Sequence, residues 1–181
     1  MEAEYELWWA AFVAKLGDRL PSGMHEVGEA FGPHRGAIER RLWCTPPLTL
    51  KHNDFGPGNI LFDPRGGPPA IIDWASMGLG RGTHDIGWFL SECLQPDVRR
   101  AIDMDLLREY HAILEEEGVR GYAFADCYED FHYAILQRFR SIVSTVAVMP
   151  FTAAQKQQVI DYSLPRNCAA ILDHEAGSLL R

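Results

Sequence analysis

One short hairpin-forming segment constrains the fold more than any other part of this 181-residue chain. Two apolar runs of strand length, residues 59–62 and 69–72, are separated by residues 64–67, which are proline, arginine and two glycines. Turn formers between two strand-forming runs predict a β-hairpin. A turn centred on residues 64–67 brings Asn59 and Asp73 to the same open end of the hairpin, on the order of 5 Å apart across neighbouring strands.

The polar residues around this hairpin have the chemistry of a magnesium site and a base. Asn59 and Asp73 offer amide and carboxylate oxygens, and Mg²⁺ usually takes one or two protein oxygens together with substrate phosphates. Asp54 lies in the loop before the first strand, where two glycines and a proline allow a tight turn. From there its carboxylate can accept the proton of an incoming hydroxyl group. The pattern therefore indicates phosphate chemistry.

Each of these residues also has a simpler interpretation. Asn and Asp favour turns and caps, so Asp54, Asn59 and Asp73, taken singly, fit an ordinary loop and hairpin as well. The joint pattern His-x-Asp-x-x-x-x-Asn, which begins at His52, should arise by chance well under about one time in a hundred in a chain of this length. The joint pattern favours a catalytic loop.

Residues 48–90 resemble a known group of enzymes. The stretches KHNDFGPGNILFD and AIIDWASMGLGRGTHDIGWFL are similar to the carboxy-terminal lobe of the aminoglycoside phosphotransferase and choline kinase-like superfamily, and they look closest to its bacterial ecdysteroid kinase-like branch. The later helices resemble that branch more diffusely, so the similarity extends over most of the chain. The resemblance implies a protein-kinase-like carboxy-terminal lobe, ATP and Mg²⁺ as cofactors, and a small-molecule hydroxyl group as acceptor.

The resemblance also implies roles for five residues. Asp54 would be the catalytic base, Asn59 and Asp73 would bind Mg²⁺, and His52 and Asp85 would brace the catalytic loop from behind. The residues alone leave a second role for Asp85, because a carboxylate in the first turn of a helix also favours the helix dipole. The acceptor is not specified, since related enzymes act on aminoglycosides and on choline-like, macrolide, homoserine-like and steroid alcohols.

Two features depart from the family pattern. Asn53 occupies a position where relatives usually carry glycine, which predicts a slight shift of the loop backbone. The residues before the motif contain no glycine-rich hairpin and no Val-Ala-x-Lys-like strand of the kind that holds nucleotide phosphates. Lys15 is the only lysine before Lys51, and it falls in a predicted helix. We therefore expect the amino-terminal nucleotide lobe to be absent and residues 1–181 to form a single lobe.

The rest of the chain is predicted to be mostly helical, which gives an α+β fold class dominated by α. A helical bundle is expected to carry the hairpin and its catalytic loop. Gly28, Gly32, Pro33 and Gly36 threaten to break the second predicted helix into two pieces. The predicted helices cover about residues 4–16, 22–42, 83–94, 104–117, 124–148 and 152–174, with a short strand at 48–50 and a glycine-rich connection at 78–82.

Charge and composition exclude several classes of protein. The formal net charge is −8, and the clustered Lys and Arg that nucleic-acid binding requires are missing. The same charge is compatible with a cationic acceptor, which acidic residues at 115–117 and 126–130 could steer, unless they are only solvated helix faces. No apolar run approaches the roughly 20 residues of a membrane span, and the first residues are acidic where a signal peptide is basic. We expect a cytoplasmic protein.

Three functions remain open at this point. The first is an ATP-dependent kinase that phosphorylates a small-molecule hydroxyl group. The second is a truncated, catalytically incompetent binding module, which would form a homo-oligomer through the apolar face that a missing lobe leaves uncovered. The third, hydrolysis of a phosphate ester, has no specific support. The four cysteines and the histidines show no metal-ligand spacing, so we expect reduced thiols and no zinc site.

Overall fold

Helices account for most of the chain, and its strands are short. The computed structural model describes residues 2–181. Each predicted helix is observed, so the mostly helical α+β class is confirmed. The elements are α1 (Glu2–Leu16), α2 (Met24–Cys44), β1 (Thr49–Lys51), β2 (Ile60–Leu61), β3 (Ala70–Ile71), β4 (Gly78–Gly80), α3 (Thr83–Trp88), α4 (Pro96–Glu116), α5 (Phe124–Val148), α6 (Ala153–Gln158) and α7 (Leu164–Asp173). Two π-helical turns, Phe89–Cys93 and Val159–Ser163, follow α3 and join α6 to α7.

Helix α5 lies at the centre of the hydrophobic core. Its apolar residues recur at helical spacing, and Phe131, Ile135, Phe139 and Val143 are completely buried. The helix packs against α1, α2, α3, α4 and α7. Burial of each such side chain contributes roughly 1.5–3 kcal/mol. These helices therefore form a stable frame for the loops that connect them.

Helix α2 is continuous although it contains Pro33 and three glycines. Gly28 permits close packing instead of ending the helix. A Cβ atom on Gly28 would lie 2.2 Å from the indole ring of Trp9 in α1, and the carbonyl of Gly28 accepts the hydroxyl of Tyr5 at 3.0 Å. The expectation of a break in this helix is therefore wrong, because the missing side chain allows α1 to approach.

The hairpin formed by β2 and β3 has the predicted register. Ile60 lies opposite Ile71 in an antiparallel pair. The amide of Gly66 donates to the carbonyl of Asp63 at 3.0 Å, which closes the turn. Gly66 has a φ of 85°, a left-handed conformation that glycine adopts at little cost. The turn formers thus set the strand pairing, and this pairing determines that Asn59 and Asp73 lie at the open end of the hairpin.

A second antiparallel pair joins β1 to β4, with Leu50 opposite Leu79. The strand predicted at residues 48–50 is observed one residue later. The connection predicted at residues 78–82 is wrong for its first three residues, which form β4. This pairing joins segments that are distant in sequence, and local glycine content does not reveal it.

Other boundaries follow from local chemistry. Helix α4 begins at Pro96 and not near residue 104, because proline suits a first helical turn, where its missing N–H has no partner to lose. Helix α5 has the predicted bounds, and α6, the second π-helical turn and α7 together fill the predicted helix at 152–174. Among residues 2–181, none of the helices combines the length and apolar character that a membrane crossing requires.

Candidate active site

The loop that follows β1 is held by a carboxylate from α3. Asp85, in the first turn of α3, accepts the backbone amide of His52 at 2.6 Å and that of Asn53 at 2.9 Å. Burial disfavours the ionised form of Asp85, but nearby His84 and the two amides outweigh this effect and lower the pKa of the carboxyl group. An ionised Asp85 therefore fixes the backbone just before Asp54.

His52 connects the same loop to the hairpin. Its ring is buried, and its Nδ1 atom accepts the amide of Asp54 at 3.2 Å. Because an amide N–H can only donate, the proton of the neutral ring lies on Nε2, which donates to the carbonyl of Ile72 at 2.8 Å. The ring of Trp74 lies 4.7 Å from the imidazole, centroid to centroid. His52 thus fixes Asp54 relative to the end of β3.

Asn59 holds the carboxylate of Asp54 through its side-chain amide. The Nδ2 atom of Asn59 donates to the carbonyl oxygen of Asp54 at 2.9 Å and to its carboxylate atom Oδ2 at 3.1 Å. Within residues 2–181, neither Oδ1 of Asp54 nor Oδ1 of Asn59 has a hydrogen-bond partner. These two oxygens are therefore free for other ligands, such as an acceptor hydroxyl group and a cation.

The hairpin brings Asn59 and Asp73 to its open end. The amide of Ile72 donates to the carbonyl of Asn59 at 3.0 Å, and Asp73 is the next residue in the chain. Asp73 is exposed and has a left-handed backbone with a φ of 61°. This conformation costs aspartate less than most residues, and it recurs at functional sites.

The oxygens at this end of the hairpin fit Mg²⁺. The donors would be the free amide oxygen of Asn59 and the exposed carboxylate of Asp73, both of the hard type that magnesium prefers. No three side chains of the types His, Cys, Asp and Glu converge on a metal-sized site in the part of the chain that the structure describes. Phosphate and water oxygens would have to complete the coordination, as is usual for this ion. The roles of Asn59 and Asp73 stay predictions.

The backbone of Asn53 has a conformation that suits glycine. Its φ of 64° lies in the left-handed region, which glycine and asparagine enter most readily. Its side chain accepts a hydrogen bond from Nζ of Lys51 at 2.7 Å and donates one to the carbonyl of Ser76 at 2.7 Å. Burial lowers the pKa of Lys51. Lys51 begins the stretch that resembles the family, but no role in the loop was predicted for it.

A cleft of about 480 Å³ lies beside Asp54. Asn59 and Asp73 do not line it, whereas Asp54, Gly56 and Pro57 of the loop do. The other walls come from the end of α3, both π-helical turns, the end of α6 and α7. They include Trp88, Glu92, Tyr162, Ser163 and Arg166. Sequence spacing could not group these residues, because only the packing of the helices brings them together.

Lys15, the first lysine of the chain, binds the end of helix α5. Its Nζ atom donates to the carbonyls of Val146 at 2.8 Å and Ala147 at 3.0 Å. It lies in α1, as predicted, and the described residues before β1 contain helices but no strand. None of them corresponds to the strand lysine that holds nucleotide phosphates in kinases.

Comparison with known proteins gives one match. Residues 3–125, about two thirds of the chain, match the model of a family described as the phosphotransferase enzyme family. The matched range extends from α1 to the start of α5 and contains the whole loop, the hairpin and Asp85. No match was found among curated proteins or among solved structures.

Proposed function

The chain belongs to the phosphotransferase enzyme family, and on this premise we propose that it is the catalytic and acceptor-binding lobe of an ATP-dependent kinase of small-molecule hydroxyl groups. The observation that carries the proposal is the contact between Asn59 and Asp54 beside the cleft. It leaves one free oxygen on each residue, and these are the atoms that such a reaction requires.

Asp54 acts on the acceptor in this proposal. Asn59 occupies its Oδ2 atom, so the proton of the acceptor hydroxyl moves to, or is oriented by, Oδ1. His52 and Asp85 hold the loop, which keeps that oxygen in a fixed position as the hydroxyl attacks. Asn59 and Asp73 would hold Mg²⁺, which supplies charge neutralisation for the nucleotide phosphates when it is bound.

The nucleotide itself needs further contacts. The described residues before β1 form α1 and α2 and offer no glycine-rich turn and no strand lysine. We propose that another lobe supplies these contacts, and that it packs on the side of the hairpin that carries Asp73.

Calorimetric titration of Mg²⁺ and ATP tests the metal site, with wild type, Asp73→Ala and the control Asp63→Ala compared. Asp63 is also exposed and lies on the hairpin, where it pairs with Arg65. We expect Asp73→Ala alone to abolish magnesium-dependent nucleotide binding. Phosphate transfer to a panel of alcohols then tests turnover. A wild-type chain that binds Mg²⁺ and ATP no better than Asp73→Ala would refute the metal site.

A second function, a self-associating binding module, is favoured by an exposed apolar face. Each of its residues is more than half exposed, and exposed apolar surface of this kind marks interaction sites. They are Leu50, Leu61, Phe62, Met77 and Leu79. We propose a second copy of the chain as the occupant of this face if no nucleotide lobe covers it. Sedimentation analysis of the wild type and of Leu79→Glu tests this function. A dimer that the substitution dissociates, together with a lack of nucleotide binding, would support the binding module.

A further inference from the structure

We propose that the acceptor is a hydroxy acid, whose anionic group binds Arg166 while its hydroxyl group lies at Asp54. The inference rests on the proposed function, because it assigns a substrate class to the same cleft. It departs from the cationic acceptor that the net charge allows.

The first observation is that Glu92, the other acid in the cleft wall, is fully engaged. Its Oε1 atom accepts the hydroxyl of Ser163 at 2.7 Å, and its Oε2 atom pairs with Arg138. The guanidinium of Arg138 also lies 3.7 Å from the ring centroid of Trp88. Arg138 thus neutralises Glu92, and no free charge remains there for a cationic ligand.

The second observation is that Arg166 has no acidic partner. One of its N–H groups donates to the backbone carbonyl of Glu92 at 3.0 Å, and its guanidinium lies 5.0 Å from the ring centroid of Tyr162. Within residues 2–181, no carboxylate lies within ion-pairing distance of this guanidinium. An arginine that donates to one neutral carbonyl has other N–H groups free. Its planar guanidinium can donate two parallel hydrogen bonds to a carboxylate or phosphate group.

The third observation concerns residues 126–130, one of the two acidic groups that suggested a cationic acceptor. Asp126, Glu129 and Asp130 lie 3.7, 3.5 and 2.6 Å from the guanidinium of Arg41. They do not line the cleft. Arg41 therefore offsets part of the negative charge of these residues away from the cleft. Asp54 is the only unpaired acid among the described residues of the cleft wall.

A charge-selective thiol reaction tests the inference without nucleotide or turnover. Cys93 lines the cleft, and Cys44, the exposed cysteine, is replaced by serine. Two methanethiosulfonate reagents of similar size, one with a sulfonate and one with a trimethylammonium group, are reacted with this protein at mildly alkaline pH, and mass spectrometry follows the modification. Burial raises the pKa of the Cys93 thiol to about 12, but both reagents meet the same thiol, so the ratio of rates reports the charge around it.

We expect the sulfonate reagent to react faster, and Arg166→Gln to lower the ratio of the two rates about tenfold, because a unit positive charge in the wall of the same cleft is removed. Arg108→Gln, which removes an exposed arginine of α4 that pairs with Asp105, should leave the ratio unchanged. A faster cationic reagent, or an unchanged ratio in Arg166→Gln, would overturn the inference.

Transfer assays separate this inference from the proposed function. With matched hydroxy acids and amino alcohols as acceptors, Arg166→Gln should raise KM for the hydroxy acids and leave kcat nearly unchanged. An equal loss of kcat for both acceptor classes would place Arg166 at the transferred phosphoryl group and refute its role in acceptor choice. A charge-selective cleft in a protein that transfers no phosphate would refute the kinase and leave anion binding intact.

Discussion

The carboxylate of Asp85 accepts the backbone amide of His52 at 2.6 Å, across 33 positions of sequence. Its second oxygen accepts the amide of Asn53. The loop that carries Asp54 is therefore positioned in part by a helix that follows the hairpin in the chain, and not only by the strand that leads into the loop. Loss of this carboxylate should loosen the loop without touching the hydrophobic core.

Asp85→Asn should destabilise the protein by about 1–3 kcal/mol, because the new amide group can accept only one of the two backbone N–H groups and faces the other with a donor. Urea denaturation measures the change. Asp105→Asn, in the exposed pair with Arg108 on α4, is the matched control and should stay within about 0.5 kcal/mol of wild type. Equal effects of the two substitutions would contradict the bracing role.

Asp54→Asn should lower phosphate transfer by at least about 10²-fold while stability stays near that of the wild type. The new side chain can still accept a hydrogen bond from Asn59, but it cannot take a proton from the acceptor. The rate is measured with any acceptor that the panel identifies, and Asp63→Asn is the matched carboxylate control on the hairpin. Transfer by Asp54→Asn at the wild-type rate would show that the catalytic base has been misassigned.

Gly28→Ala and Gly36→Ala, in the same helix, should have opposite effects on stability. A methyl group at residue 28 would meet the indole of Trp9 at 2.2 Å, whereas the nearest atom to one at residue 36 is a side-chain nitrogen of Arg40 at 3.6 Å. We expect a loss of about 1–3 kcal/mol for Gly28→Ala and a gain of about 0.5–1 kcal/mol for Gly36→Ala, since alanine favours helix. Thermal unfolding compares the two, and a similar melting temperature for both would refute the close packing of α1 on α2.

Stability should fall as the pH is lowered from about 7 to about 5, in part because of His132. Burial first, and the neighbouring His174 second, lower the pKa of His132 to about 4. Across this range the unfolded chain binds a proton that the folded protein excludes, so acid favours unfolding, while above the unfolded pKa the effect vanishes. His132→Leu should remove about 1–2 kcal/mol of this pH dependence, allowing for solvent screening. Urea titrations at the two pH values measure it, and an unchanged difference in the variant would refute the assignment.

The hairpin and its open end could be predicted from the sequence because the information is local. The turn formers at residues 64–67 set the register, and the register brings Asn59 close to Asp73. Helix α5 could also be predicted, since its apolar residues recur at helical spacing over about seven turns. In these places local pattern and tertiary structure agree.

Other features depend on contacts that no local pattern encodes. β4 is a strand only because β1 lies beside it, and its glycines alone indicate a loop. The left-handed backbone of Asn53 could not be predicted from the sequence, because the hydrogen bonds of its side chain to Lys51 and Ser76 follow from the fold. Arg166 belongs to no sequence motif, and only the packing of α7 places it in the wall of the cleft.

The two π-helical turns are places where the wall of the cleft can change without a change in the core. Each π turn holds one residue more than a regular α-helix would, and removing one residue would rotate one flank of the helix against the other by about 100°. Helix α7 is anchored in the core by buried Asn167 and Ile171, whereas α6 contributes no buried residue. A single-codon deletion within Val159–Ser163 would therefore turn α6, and Gln158 with it, while the core stayed intact. The gain or loss of a single codon can thus change the shape of the cleft wall around Gln158.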